Sequence, residues 1–309
     1  MKTALKQIPF VLFLILLFGL AACVLPKDKL SGNKMLTDHF DWQGHRGARG
    51  LAPENTIPAF LKALEFPKIT TLEMDIAISA DGQVFVSHEP WMSASICTTP
   101  EGQAVTSAEE DKYLLFQMPA LEILKFDCGK RGNPRFPEQK PVPAHKPLLK
   151  EVILHVKREC LLKGIKVPKY NIEIKSQPSW DGIKSPEPKQ FATLLIREIE
   201  EMQISELTCI QSFDPRALRA VKALAPNLTT ALLVENLKSF DTNIQDLGYT
   251  PEIYSPYYKL LSAEVVQKAH ALKMKVIPWT VNETEEMHKL MAMGVDGIIT
   301  DYPNRIPPQ

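Results

Sequence analysis

The chain has 309 residues, 45% of them hydrophobic. That length and composition exclude a disordered chain and allow one large domain or two ordinary ones around a sizeable core. Basic and acidic side chains balance at 36 each, which argues against a nucleic-acid partner.

Taken in chain order, residues 1–22 read as a leader: Lys2 and Lys6, the apolar run Phe10–Ala22, then Leu20-Ala21-Ala22-Cys23. The run is shorter than the roughly 20 residues a membrane-spanning helix needs, so a cleaved signal is favoured over a permanent anchor. The pattern resembles a bacterial lipoprotein signal peptide. That resemblance implies an exported protein held to a membrane, periplasm-facing or at the cell surface, by a lipid on Cys23. Residues 23–40 are expected to be a tether, and residues 41–309 the folded domain.

Gln43–Thr56, QGHRGARGLAPENT, sets His45 and Arg46 between glycines. Gly44 and Gly47 permit unusual backbone and the close approach of a ligand, and Asn55 or Thr56 can cap a helix whose first turn holds Pro58. A short strand is expected over Phe40–Gly44 and a helix over Ile57–Phe66. Thr70–Ser79 alternates, with Leu72, Met74, Ile76 and Ile78 on one face and Glu73, Asp75 and Ala77 on the other. Asp81-Gly82 turns into a short strand, Val84–Ser87, that ends at His88.

From Glu89 to Lys146 periodicity fails, predicting an insertion that forms a small subdomain. It contains Cys97 and Cys128, the favoured disulfide pair, while Cys160 and Cys209 fall in regular patterns where a buried free thiol is expected. Regular alternation then resumes. Helices are expected at Pro147–Lys163, Pro188–Met202, Pro215–Leu224, Lys238–Leu247, Ala263–Leu272 and Glu283–Met293. The strands between them are Tyr170–Lys175, Thr208–Phe213, Thr229–Val234, Ile253–Tyr257, Lys275–Val281 and Gly297–Thr300. Eight strand–helix units predict an α/β fold, a (β/α)8 TIM barrel with a small insertion after the second strand.

The active site of such a barrel lies at the C-terminal ends of its strands. His45, Glu73, Asp75, Glu173, Lys175, Gln211 and Trp279 fall there. Glu73, Asp75 and Glu173 are hard oxygen donors suited to one divalent cation, Ca²⁺ or Mg²⁺. A Glu-x-Asp pair is more often a solvated sheet face, but inside a barrel inward carboxylates must be paired or bind metal. His45 and His88 are the candidate general acid and base, titrating near the working pH. The remaining histidines, His39, His145, His155, His270 and His288, are read as structural. Arg46 and Lys175 would hold phosphate oxygens or neutralise the carboxylates. Trp279 would give an apolar wall to a glycerol unit, or simply fill the core. Glu54 is expected to orient Arg46.

His-Arg-Gly followed by Pro-Glu-Asn-Thr, Glu73-x-Asp75 before His88, Glu173-x-Lys175, Trp279-Thr280 and the closing GVDGIITDYP of 294–303 together resemble the glycerophosphodiester phosphodiesterase family. The resemblance covers most of 41–303. It implies metal-dependent hydrolysis of a small glycerophosphodiester to sn-glycerol 3-phosphate and an alcohol. His45 and His88 match the family's acid and base, and Glu73, Asp75 and Glu173 its metal ligands. One departure is Glu89, where the second histidine is commonly followed by Asp. Two alternatives are a phospholipase-type phosphodiesterase acting on intact or lyso lipids and a non-catalytic lipoprotein that binds phosphate esters.

Overall fold

The computed structural model describes residues 40–308; the leader, Cys23, His39 and the tether before Phe40 lie outside the described residues. The strands are β1 (Asp41–Gly44), β2 (Ile69–Ile78), β3 (Val84–Val86), β4 (Lys169–Ile174), β5 (Thr208–Ser212), β6 (Thr229–Val234), β7 (Ile253–Pro256), β8 (Lys275–Val276) and β9 (Gly297–Thr300). Helices follow as α1 (Ile57–Ala63), α2 (Ala120–Ile123), α3 (Leu149–Lys163), α4 (Pro188–Glu201), α5 (Pro215–Leu224), α6 (Phe240–Leu247), α7 (Ala263–Ala271) and α8 (Thr284–Met293).

Eight of the strands run parallel in the order β8-β7-β6-β5-β4-β2-β1-β9. The two ends of that order meet through Asp296 N donating to Val276 O at 2.9 Å, Ile299 N to Pro278 O at 3.0 Å and Val281 N to Ile299 O at 2.9 Å. The barrel is therefore nearly closed. Lys275–Val281, expected as one strand, forms a regular ladder only over Lys275–Val276. Pro278 has no N–H to give the ladder, so the seam continues as single hydrogen bonds.

Strand alternation sorts the side chains. Leu72, Met74, Ile76 and Ile78 of β2 pack outward with Ile172 of β4 and the inner faces of α3 and α4 in the main hydrophobic cluster, the arrangement that gives a parallel barrel its two-sided burial. Their odd-numbered neighbours point into the barrel. Helix caps follow the expected residues: Thr56 Oγ accepts from Ala59 N at 3.4 Å, and Ser239 Oγ from Thr242 N at 3.1 Å.

β3 pairs antiparallel with the far end of β2, off the barrel path. β2 is the longest strand, at 10 residues, and its overhang carries Ala77 into the insertion instead of the barrel interior. The insertion has a hydrophobic cluster of its own, including Phe85, Met92, Ile96, Leu115, Ile123 and Phe126. Cys97 and Cys128 are disulfide-bonded within it, while Cys160 and Cys209 are free. Among the described residues no helix is long and apolar enough to cross a membrane.

Candidate active site

The loop after β1 positions the first set of groups. Arg46 has a left-handed backbone, φ +50°, unusual for a side chain of this size. Its N–H donates to Glu73 Oε2 at 2.8 Å and its carbonyl accepts from Asn55 N at 3.1 Å. Gly44 and Gly47 were expected to leave room for a ligand, but the space is taken by the protein's own backbone. A Cβ on Gly44 would stand 2.3 Å from Gly47 O, and one on Gly47 2.6 Å from Ala59 C. The glycines thus let the loop pack against the start of α1, which fixes the direction of His45 and Arg46.

Glu73, Asp75 and Glu173 each offer an oxygen within 4.8 Å of the others, all from buried residues. The parallel register explains this: Asp75 of β2 lies beside Glu173 of β4, and Glu173 beside Gln211 of β5. Gln211 Nε2 donates to Glu73 Oε1 at 2.8 Å, and Asn55 Nδ2 to Asp75 Oδ2 at 2.8 Å. Asn55 is left-handed, φ +56°; Thr56 takes the capping role and frees Asn55 to hold Asp75. Burial, then the charge of Asp75, drives Glu73 well above the usual carboxylate range. Glu173 is pushed up to about 8 by burial and, against the pull of Lys175, by Asp75. Asp75 overcomes its burial through Arg46, His88 and Lys175 and stays well below the ordinary value. Three oxygens crowded against their own repulsion, on buried side chains, form a donor set fitted to a hard divalent cation.

Two cationic side chains flank the triad. Lys175 Nζ is 3.0 Å from Glu173 Oε1 and 3.9 Å from Asp75 Oδ1. Arg46 Nη1 donates to Glu54 Oε1 at 2.5 Å, and its Nε lies 3.2 Å from Asp75 Oδ2. Glu54 therefore orients Arg46, with Asn133 of the insertion bonded to its other oxygen at 3.3 Å. Arg46 Nη2 makes no hydrogen bond among the described residues.

Each candidate histidine is tied through Nδ1 to a carboxylate. His45 Nδ1 is 2.6 Å from Asp301 Oδ1, and His88 Nδ1 is 2.8 Å from Glu89 Oε1. A carboxylate only accepts, so in both rings Nδ1 carries the proton and Nε2 is left for chemistry. His45 Nε2 lies 4.0 Å from Glu73 Oε2. Burial and the nearby Arg49 guanidinium lower His45 to about 4, so it is neutral at neutral pH. His88 is lowered as well, by burial and by Arg46. Asp301 is itself clamped by Arg49 Nε at 2.8 Å and Asn282 Nδ2 at 2.8 Å. Although burial opposes it, the His45 and Arg49 contacts hold Asp301 ionised.

His45, Arg46, Glu73, His88, Glu173, Lys175 and Trp279 all line one cavity of about 290 Å³ at the C-terminal mouth of the barrel. Asp75 sits behind this surface, under Arg46 and Asn55. Sequence reasoning passed over Asp301, Arg49, Asn55 as a carboxylate partner, Phe213 and Glu235. Asp301 had a visible signal, since it follows β9 as Lys175 follows β4, but no spacing links it to His45 across the chain.

Such a site, with an acidic triad that could hold a cation, two oriented histidines and two positive side chains, has the parts a barrel hydrolase needs for an anionic substrate. A family model described as the glycerophosphoryl diester phosphodiesterase family matches residues 45–305. The chain is 31% identical over 85% of its length to a glycerophosphodiester phosphodiesterase of Caldanaerobacter subterraneus, covering 94% of that protein. It is 30% identical over 95% of its length to one of Bacillus subtilis, again covering 94%. Among solved structures, a putative glycerophosphoryl diester phosphodiesterase from Silicibacter pomeroyi superposes with a TM-score of 0.74 at 30% identity, over 86% of this chain and 90% of that one. An Oleispira antarctica phosphodiesterase, solved with the product sn-glycerol-3-phosphate, shares the fold with a TM-score of 0.67 at 21% identity, over 86% and 94% of the two chains. The chain belongs to the glycerophosphoryl diester phosphodiesterase family and is a phosphoric diester hydrolase.

Proposed function

We propose that this enzyme hydrolyses glycerophosphodiesters to sn-glycerol 3-phosphate and an alcohol, with His45 and His88 exchanging the protons and one divalent cation, Ca²⁺ or Mg²⁺, held by Glu73, Asp75 and Glu173. The observation that carries this reading is that Glu73 and Glu173, with Asp75 close behind them, share one cavity with two histidines whose Nδ1 atoms are held by carboxylates. The Oleispira neighbour, with sn-glycerol 3-phosphate bound, supports the choice of product.

When bound, the cation supplies positive charge to the phosphoryl oxygens and lowers the cost of the charge that builds there. The protein's own groups do the rest. Arg46, braced by Glu54, and Lys175 hold the phosphate through charge-assisted hydrogen bonds. One histidine Nε2 takes the proton of the attacking hydroxyl; the other must first take up a proton at Nε2, as an imidazolium, and gives that proton to the departing alkoxide. Asp301 and Glu89 hold each Nδ1–H, which orients Nε2 and stabilises the ring when it carries a second proton there. Trp279 packs against the carbon face of the glycerol unit. Replacing His45 or His88 by Ala should abolish glycerol 3-phosphate release from glycerophosphocholine in a folded protein; turnover at the original rate in either variant sinks the reading.

We also propose that the protein is exported and anchored through a lipid on Cys23. The leader supports this, as does the Cys97–Cys128 bond, since disulfides persist in oxidising compartments. Cys23→Ser should move the protein from the membrane to the soluble fraction, and retention at the membrane would count against the anchor.

A further inference from the structure

Beyond its carboxylates and histidines, the cavity is lined by Phe213, Leu233, Glu235 and Trp279. The first three continue the inward alternation past the ends of β5 and β6: Gln211 then Phe213, Leu233 then Glu235. Phe213 is 40% exposed although it is a large aromatic. It meets Trp279 edge to face at 5.4 Å, and Trp279 is 5.7 Å from Tyr257. Glu73 and Glu173, the other carboxylates on the cavity wall, are engaged. Glu235 is exposed and has no hydrogen bond or ion pair among the described residues.

An exposed Phe213, backed by the half-buried Trp279 and sharing a cavity wall with an unneutralised carboxylate, is suited to a weakly hydrated cation. The ring attracts it through its quadrupole, and the carboxylate supplies charge without demanding a short hydrogen bond. Neither feature serves the phosphate, which a free carboxylate repels. The Phe213 ring already accepts a cation at its edge of reach, since Lys175 Nζ lies 5.9 Å from its centroid. That ammonium is committed to Glu173 at 3.0 Å, so it leaves Glu235 without a partner.

We propose that Phe213 and Glu235, with Trp279 bracing the Phe213 ring edge to face, form the subsite for a quaternary ammonium on the alcohol half of the diester, making this enzyme selective for choline-type head groups over neutral alcohols. The proposal rests on the phosphodiesterase reading above and adds the residues that choose the alcohol. Glu235 and Phe213 are then specificity residues that touch substrate away from the reacting atoms.

The test compares kcat/KM on glycerophosphocholine and on glycerophosphoglycerol, whose head group is neutral, for the full chain, Glu235→Gln and Phe213→Ala. The wild type should favour the choline diester, and each variant should lower that preference about tenfold through KM, the size expected from losing one contact of this kind. A wild type without preference, or variants that keep it, overturns the proposal. A second measurement does not depend on turnover: saturation-transfer NMR of choline alone should report binding to the wild type and weaker binding to Glu235→Gln. Absence of transfer to the wild type overturns the subsite. Choline binding in a chain that cleaves neither diester would leave the subsite standing and overturn the reaction instead.

Discussion

The surroundings of His45 and His88 show the same device built in two ways. In both, a carboxylate fixes Nδ1 and leaves Nε2 free of that contact. Asp301, the partner of His45, comes from the other end of the domain, is nearly fully buried, and also holds Arg49 and Asn282. Glu89, the partner of His88, is the next residue, is partly exposed, and sits where the barrel gives way to the insertion. The first dyad is locked by tertiary packing and the second by its neighbour in sequence. Since water can replace a partner in an exposed pair but not in a buried one, the two should differ in how much they tolerate change.

The largest effect expected is common to both. His45→Ala and His88→Ala should each reduce kcat by about 10³-fold, within the range general acid–base catalysis supplies. An asymmetry here, followed by release of glycerol 3-phosphate, would show that only one dyad transfers protons.

The sharper comparison lies one shell out. Asp301→Asn should cost about 10²-fold in kcat, because the amide favours the wrong tautomer and leaves Arg49 short of a partner. Glu89→Gln should cost about tenfold, with water taking over the contact to His88. Equal losses would mean that burial does not set the difference. Melting temperature should fall more for Asp301→Asn as well, by an amount equivalent to about 2–3 kcal/mol, in keeping with a broken buried ion-pair network.

Both dyads face a triad whose protons must leave before a cation enters. Burial and Asp75 hold Glu173 near 8 in the cation-free protein, above its unfolded value, so at neutral pH it binds a proton that a cation must displace. Apparent affinity for Mg²⁺ or Ca²⁺ should therefore rise as pH approaches about 8, by about tenfold per unit from the Glu173 proton and more steeply where Glu73 gives one up as well. Calorimetry in two buffers of different ionisation enthalpy should show proton release. The same shift makes the cation-free Glu173 stabilising below its unfolded value, with that contribution lost as pH rises through about 8. A flat affinity profile would show that the triad is not the cation site.

The smallest effect on activity should come from the insertion. Reducing Cys97–Cys128, which spans 31 residues, should lower stability by about 3–4 kcal/mol if loop closure dominates. Activity should change less than about threefold, since neither cysteine lines the cavity that holds the histidines and the triad. Hydrogen exchange should rise around His88 and Glu89 and leave His45 protected; exchange spreading evenly to β1 and β9 would mean that the insertion and barrel unfold as one unit.

How far these two regions could be read from the chain differs in the same way. Glu73 with Asp75, and Glu173 with Lys175, are local patterns that period-two alternation on parallel strands placed inward without coordinates, and His88 with Glu89 are neighbours at the end of a short strand. The eight units and the insertion were legible because each element carries its own hydrophobic period and turn residues. The irregular eighth strand was legible only as an apolar run, since a proline's missing N–H shortens a ladder only once its neighbour is known.

Sequence alone thus determined the barrel, the side chains that enter it and the kind of chemistry they allow, because local periodicity decides which way a side chain points. Tertiary structure decided the partners: Asp301 for His45, Asn55 for Asp75, Asn133 and Glu54 for Arg46, and an unpaired Glu235 beside Phe213 and Trp279. Those pairings depend on strand register and on closure of the barrel between β8 and β9, which bring together groups that no spacing along the chain relates.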